Sequence, residues 1–207
     1  LHVPKGDGPF PLVVMPHGGP FVAESVTYDT WPQLFANNGY MVLQPQYRGS
    51  LGWGIDHYTS AFINKGEGGY KMQDDKDDGA LYLIEQGLVD PDRVAMFGWS
   101  YGGYAAVVAS SRTPQIYKCV IAGATVPDPN DQLSYYRNQM ARNPSAGSVE
   151  QITFWDGSVH PIKEVANVNV PMLIVHGTVD QRTPPRAARA YIEALEKNNK
   201  KHKSLWL

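Results

Sequence analysis

Cysteine is nearly missing: Cys119 is the only one in 207 residues. That excludes a disulfide framework. Its run, Tyr117-Lys118-Cys119-Val120-Ile121-Ala122, reads as a buried strand with a structural thiol. No His and Cys residues fall at zinc-binding spacing, and no Gly-rich phosphate loop follows a strand. No metal or organic cofactor is therefore expected. Long apolar runs are missing too, with none near the roughly 20 residues of a membrane span. Charge of one sign is scarce: the net charge is −2. Neither nucleic acid nor an anionic membrane is an expected partner. The opening Leu1-His2-Val3-Pro4-Lys5-Gly6 has no charged start leading into an apolar run, so it is not a signal peptide. It lacks an initiator Met, as a processed or excised piece would. The expected location is cytoplasmic. No internal repeat, low-complexity tract or interdomain linker divides the chain, which reads as one globular domain.

What is there has a rhythm. Short apolar runs at Pro11–Met15, Tyr40–Leu43, Val94–Phe97, Cys119–Ala122 and Met172–Val175 suit strands covered on both faces. Helical patterns around Trp31–Asn37, Asp77–Gln86, Tyr101–Ser111 and Ala187–Asn198 lie between them. The fold class is α/β, with a mostly parallel, doubly wound sheet and its site at the carboxyl ends of the strands. Residues 127–169 interrupt this alternation with Tyr135, Tyr136, Phe154 and Trp155. They read either as an excursion that shapes a substrate pocket or as a surface insertion. The acidic run Gln73–Asp78 suits a helix N-terminus. Asp90-Pro91-Asp92-Arg93 suits a turn into the next strand.

Gly98-Trp99-Ser100-Tyr101-Gly102 carries the chemistry. It fits G-x-S-x-G, between a short buried strand and a helix of small residues, as a nucleophile elbow requires. Ser100 is the candidate nucleophile. Gly98 and Gly102 flank it because a Cβ at either position would collide across the turn. A serine nucleophile needs a base, an acid that orients the base, and an oxyanion hole. The acid candidate is Asp180, in the turn after Met172–Val175; Asp128 is the weaker rival. The alternative role for Asp180 is a loop carboxylate or helix cap before Pro184. For the oxyanion hole the candidates are the backbone N–H groups of Tyr101 and of Gly19, in His17-Gly18-Gly19-Pro20. Trp99, Tyr101, Val126 and Trp155 suggest an apolar first specificity pocket.

Four ordered motifs extend this pattern: His17-Gly18-Gly19-Pro20, Tyr47-Arg48-Gly49-Ser50-Leu51-Gly52-Trp53-Gly54, Gly98–Tyr104 and His176–Pro184. Together they make the chain resemble the peptidase domain of the prolyl oligopeptidase family, in its acylaminoacyl peptidase and dipeptidyl aminopeptidase-like branch. The resemblance implies an α/β-hydrolase fold, a Ser–Asp–His triad, short peptides as substrates, a β-propeller before this domain, and a homo-oligomer for the intact protein. It also implies that Arg182 binds a substrate carbonyl or carboxylate. The alternatives are a carboxylesterase on the same fold, or a catalytically impaired fragment or binding module.

The departure from the family is the histidine. It should follow a strand after the acid, and Lys203–Leu207 resembles that strand. His2, His17, His57, His160, His176 and His202 all lie elsewhere in chain order. The expectation is a catalytic domain truncated at both ends, weakly active or inactive in isolation and prone to associate.

Overall fold

The computed structural model describes residues 1–143 and 149–207. Its centre is a six-stranded sheet in the order β2-β1-β3-β4-β5-β6. The strands are β1 (Phe10–Val14), β2 (Met41–Leu43), β3 (Val89–Trp99), β4 (Cys119–Gly123), β5 (Met172–His176) and β6 (His202–Trp206). All five pairings are parallel. The order steps outward in both directions from β1 and β3, so the chain is doubly wound as expected.

The helices are α1 (Thr30–Asn37), α2 (Ile55–Thr59), α3 (Lys71–Glu85), α4 (Tyr101–Ala109), α5 (Pro129–Arg142), α6 (Val149–Trp155) and α7 (Pro185–Lys197). On one face of the sheet, side chains of α3, α4 and α7 form the main core with Leu12, Met96, Val120 and Ile174. On the other, Phe35 of α1 packs on Val13, Val42 and Phe97. Helix α7 shows why such helices form: its buried residues Ala188, Tyr191, Ile192 and Leu195 fall at i, i+3, i+4 and i+7, one stripe of a 3.6-residue period. Every residue of α4 is buried: its glycines, alanines and valines sit close to the sheet, and Tyr101 and Tyr104 fill a second apolar cluster with Tyr47 and Phe154.

Several boundaries differ from expectation. β3 starts at Val89, not Val94, because Phe10 pairs with Val89 across a register shift before Leu12. The Asp90-Pro91-Asp92 segment is carried inside that strand. The Asp90 carboxylate ties it down by accepting from Asp92 N–H at 2.9 Å and from Arg93 Nε at 2.6 Å. The acidic run lies within α3, which begins at Lys71, and arginines hold it there: Arg48 binds Asp75, while Arg112 binds Asp74 and Asp77. Cys119 is only half-buried.

That thiol marks an under-covered surface. Cys119, Ile121, Leu173 and Leu205 share one face of β4-β5-β6 by register. The first three line an apolar groove, and Leu205 is exposed on the edge strand. Purified as these 207 residues, the chain is expected to self-associate through this face and edge. Sedimentation velocity over rising concentration checks it, and Leu173→Lys with Leu205→Lys should restore a monomer.

Candidate active site

Ser100 sits between the end of β3 and the first turn of α4 with φ 59° and ψ −119°. A β-carbon makes that backbone region costly, so the surrounding structure must impose it. The imposition is visible. Ser100 N–H donates to Gly123 O at 2.9 Å, and Ser100 O accepts from Tyr104 N–H at 2.9 Å. The turn is therefore anchored to β4 on one side and to α4 on the other.

The flanking glycines are there for space. A Cβ on Gly98 would lie 2.2 Å from Gly102 O, and one on Gly102 would lie 2.2 Å from Pro16 O. Both obstacles are backbone and cannot swing aside. Gly102→Ala is expected to destabilise the fold by about 3 kcal/mol or more. That is a fall in Tm of roughly 6 °C or more for a domain of this size, which a thermal melt followed by circular dichroism will show.

The loop after β1 closes the other side. A Cβ on Gly18 would lie 3.4 Å from Ser100 Cβ, so this loop rests directly on the elbow. Gly19 has φ 116°, and a Cβ there would lie 2.9 Å from Phe21 N. Ser100, Tyr101, Gly19, Arg182 and Trp155 line one cavity of about 200 Å³. The N-terminus of α4 ends at that cavity, where developing negative charge is favoured.

Asp180 occupies the turn after β5. Its Oδ1 accepts from the N–H groups of Arg182 at 2.7 Å and Thr183 at 3.0 Å, and its Oδ2 accepts from the Thr183 hydroxyl at 2.8 Å. Desolvation pushes this carboxyl up, but the Thr183 and Arg182 donors and nearby His176 outweigh it and hold the pKa below the usual carboxylate value. Asp180 is thus an anion with one edge tied into its own turn. The rival, Asp128, caps α5: it accepts from Asn130 N–H at 3.0 Å and faces His160 Nδ1 at 3.3 Å.

Each of the six histidines has a hydrogen-bond partner other than Ser100. His2 bonds Gln44, His17 bonds Ser50 and the Gly18 carbonyl, and His57 donates to Tyr47 O. His160 faces Asp128, His176 donates to Thr183 O, and His202 donates to Lys200 O. Around His17, the Tyr47 hydroxyl donates to His17 O, leaving Nδ1–H to donate to Gly18 O and Nε2 to accept from Ser50. Burial pushes the His17 pKa down to about 4, so this ring stays neutral near pH 7.

Trp99 is not among the cavity residues. Along β3 it shares a face with Phe97, which packs against Phe35 and Trp31 of α1. Its indole therefore lies over Gly123, where an added Cβ would come within 1.9 Å of the ring. The cavity opens toward α5 and α6 instead. Gln132 and Tyr136 of α5 line it together with Gln151 and Trp155 of α6. Of the two readings of residues 127–169, the described residues favour the excursion, since its helices wall the cavity beside Ser100. Gln132 also donates to Arg182 O at 3.0 Å, joining this excursion to the Asp180 turn. Sequence reasoning misses Phe21 and Gln132, which no motif marks, and finds Tyr136 only as one of the aromatics of that interruption.

Known proteins share this chain's sequence pattern and its fold. The family model described as the prolyl oligopeptidase family matches residues 26–207. Dipeptidyl aminopeptidase BIII from Pseudoxanthomonas mexicana is 32% identical over 94% of this chain and 29% of its own length. The acylamino-acid-releasing enzyme of Rattus norvegicus is 30% identical over 91% of this chain and 26% of its own. An acylaminoacyl peptidase from Pyrococcus horikoshii superposes with a TM-score of 0.82 at 21% identity, covering 99% of this chain and 33% of that one. The chain thus spans less than a third of the length of these curated relatives.

Proposed function

Because the chain belongs to the prolyl oligopeptidase family, we propose that it is the catalytic unit of a serine peptidase that cleaves short peptides, releasing an aminoacyl or acylaminoacyl group. Ser100 Oγ attacks the scissile carbonyl carbon and gives its proton to a histidine. The oxyanion is held by the N–H groups of Tyr101 and Gly19, each such donor worth about 3 kcal/mol of barrier. The histidine then passes the proton to the leaving amine as the C–N bond breaks, leaving an acyl-enzyme. Water, deprotonated by the same histidine, hydrolyses the ester and restores Ser100.

Asp180 orients that histidine. None of the six histidines here bonds Ser100, and His176, 4.0 Å from Asp180 Oδ2, donates to Thr183 O instead, so we assign the role to a part of the protein outside these residues. The β-propeller that the resemblance implies would restrict entry to short peptides. Arg182, beside the nucleophile in the cavity, would hold a substrate carbonyl or carboxylate.

The observation that carries this reading is a left-handed Ser100 at the head of a buried helix, sharing one cavity with Gly19 and Arg182. The test is fluorophosphonate labelling of the full-length protein, followed by turnover of acylaminoacyl anilides and short-chain p-nitrophenyl esters. Labelling at Ser100 with anilide turnover is the expected result. Ester turnover alone would make the protein a carboxylesterase, and no labelling would remove Ser100 from the chemistry.

A further inference from the structure

Lys76 has no accessible surface at all, and none of the motifs explains it. It lies on the inner face of α3, behind the elbow. Its ammonium group donates to Met72 O and, at 3.2 Å, to the Tyr101 hydroxyl. It also stands 3.8 Å from the centre of the Tyr47 ring and 5.1 Å from that of Tyr101. Two oxygens and an aromatic face thus take up its three N–H donors. Among the described residues, no carboxylate lies within ion-pair distance of it.

Both aromatic partners lead to the oxyanion site. Tyr101 carries one proposed N–H donor on its own backbone. Tyr47 stacks on the His17 ring, centroids 4.3 Å apart, and its hydroxyl donates to His17 O and lies 2.8 Å from Nδ1. His17 opens the loop that carries the other donor, Gly19. The two tyrosine rings are 5.2 Å apart, with the Lys76 cation against both.

We propose that Lys76 is a positioning residue for the oxyanion hole, clamping the Tyr47–His17 loop and the Tyr101 turn together and placing a positive charge behind the developing oxyanion. The inference rests on Ser100 being the nucleophile. A cation in so dry a setting acts over a longer range than one in water. Its charge is also switchable. Burial pulls its pKa down to about 7, against the pull of Asp75 and Asp77 and with the push of Arg112 and Arg48. Those four, with Tyr47, Tyr101 and nearby His17, are the titratable and charged groups that face it. The carboxylates are already engaged by Arg48 and Arg112, so their pull only partly offsets the burial that lowers the Lys76 pKa.

The experiment compares full-length wild type, Lys76→Met and Tyr47→Phe. Fluorophosphonate labelling of Ser100 comes first, then kcat and KM for an acylaminoacyl anilide from pH 5.5 to 9.5. Wild-type kcat should fall on the alkaline side, from about pH 7 upward, as Lys76 loses its proton. Lys76→Met should lack that limb, with kcat roughly 10- to 100-fold lower at pH 6.5 and KM within about twofold of wild type. Tyr47→Phe keeps the ring under the ammonium but cuts the link to His17. It should lower kcat roughly tenfold and retain the alkaline limb.

Thermal melts supply an independent reading. The folded chain binds fewer protons than the unfolded one between about pH 7 and the ordinary lysine value, so wild-type stability should rise with pH across that window. Lys76→Met should lack the rise. Should Lys76→Met not fold, Tyr47→Phe and the wild-type profile decide. A folded Lys76→Met with wild-type kcat and an unchanged alkaline limb overturns the proposal, and so does a Tyr47→Phe variant with wild-type kcat. If wild type turns over but does not label at Ser100, the serine-peptidase reading falls first and this one with it.

Discussion

Ser100→Ala should lower kcat of the full-length protein by about 10⁴- to 10⁶-fold, with KM and Tm nearly unchanged. The size follows from the triad acting as a unit: once the nucleophile is gone, only binding and the oxyanion hole remain, and these leave modest residual rates. Preservation of the fold follows from what holds the elbow. Both anchoring hydrogen bonds of Ser100 use its backbone, to Gly123 O and from Tyr104 N–H, and alanine keeps both. Alanine also keeps the backbone strain, since φ 59° is costly for any side chain with a Cβ. Ser100→Gly separates the two properties. It should be equally inactive yet more stable than Ser100→Ala, by about 1 kcal/mol, because glycine adopts positive φ without penalty. Steady-state kinetics on the anilide and paired thermal melts check both. A Ser100→Ala protein retaining more than a few per cent of wild-type kcat would assign the nucleophile elsewhere.

Asp180→Asn should cost about 10⁴-fold in kcat, since an amide orients the wrong tautomer of the base and no longer stabilises the imidazolium. Asparagine is the informative replacement because Asp180 also supports its own turn. The side-chain oxygen of asparagine can still accept from Arg182 and Thr183 N–H, the bonds now made by Oδ1. What is lost is the negative charge and the acceptor for the Thr183 hydroxyl. The stability cost should therefore be small, about 1 kcal/mol. It should also depend on pH in a definite direction. The Asp180 pKa is lowered in the folded chain, so its contribution is complete above the unfolded carboxylate value of about 4 and fades as pH falls through the lower folded value. The Tm gap between wild type and Asp180→Asn should be constant near neutrality and close under strongly acidic conditions. Asp128→Ala, which removes a helix cap bonded to Asn130 N–H, should leave kcat within about twofold while costing about 1 kcal/mol of stability.

The sequence by itself determined the class of fold and the tight turn at Ser100, because both are written in local signals. A strand covered on both faces must be apolar on both, and β1, fully buried over Leu12–Val14, reads that way; β4 and β5 read the same although one of their faces is only half-covered. A turn as tight as the elbow leaves no room for a Cβ, and the clashes at Gly98 and Gly102 show why those positions are glycine. The place of Asp180, in the turn after β5, was legible because it follows an apolar strand and a glycine. Tertiary structure alone decided what depends on packing between distant segments. Trp99 is adjacent to Ser100 in sequence but lies on the α1 face, since residues next to each other in a strand point to opposite sides. Residues 127–169 carry no motif, and only the packing of α5 and α6 over the cavity turns Gln132, Tyr136 and Trp155 into its wall. Lys76 looked like one more charge in an acidic run. Its burial follows from the helical face it occupies, shared with Met72 and Ala80, and from two tyrosines brought to it from residues 47 and 101. Periodicity can show which side chains share a face, but the group that meets that face is set by how the whole chain closes around it.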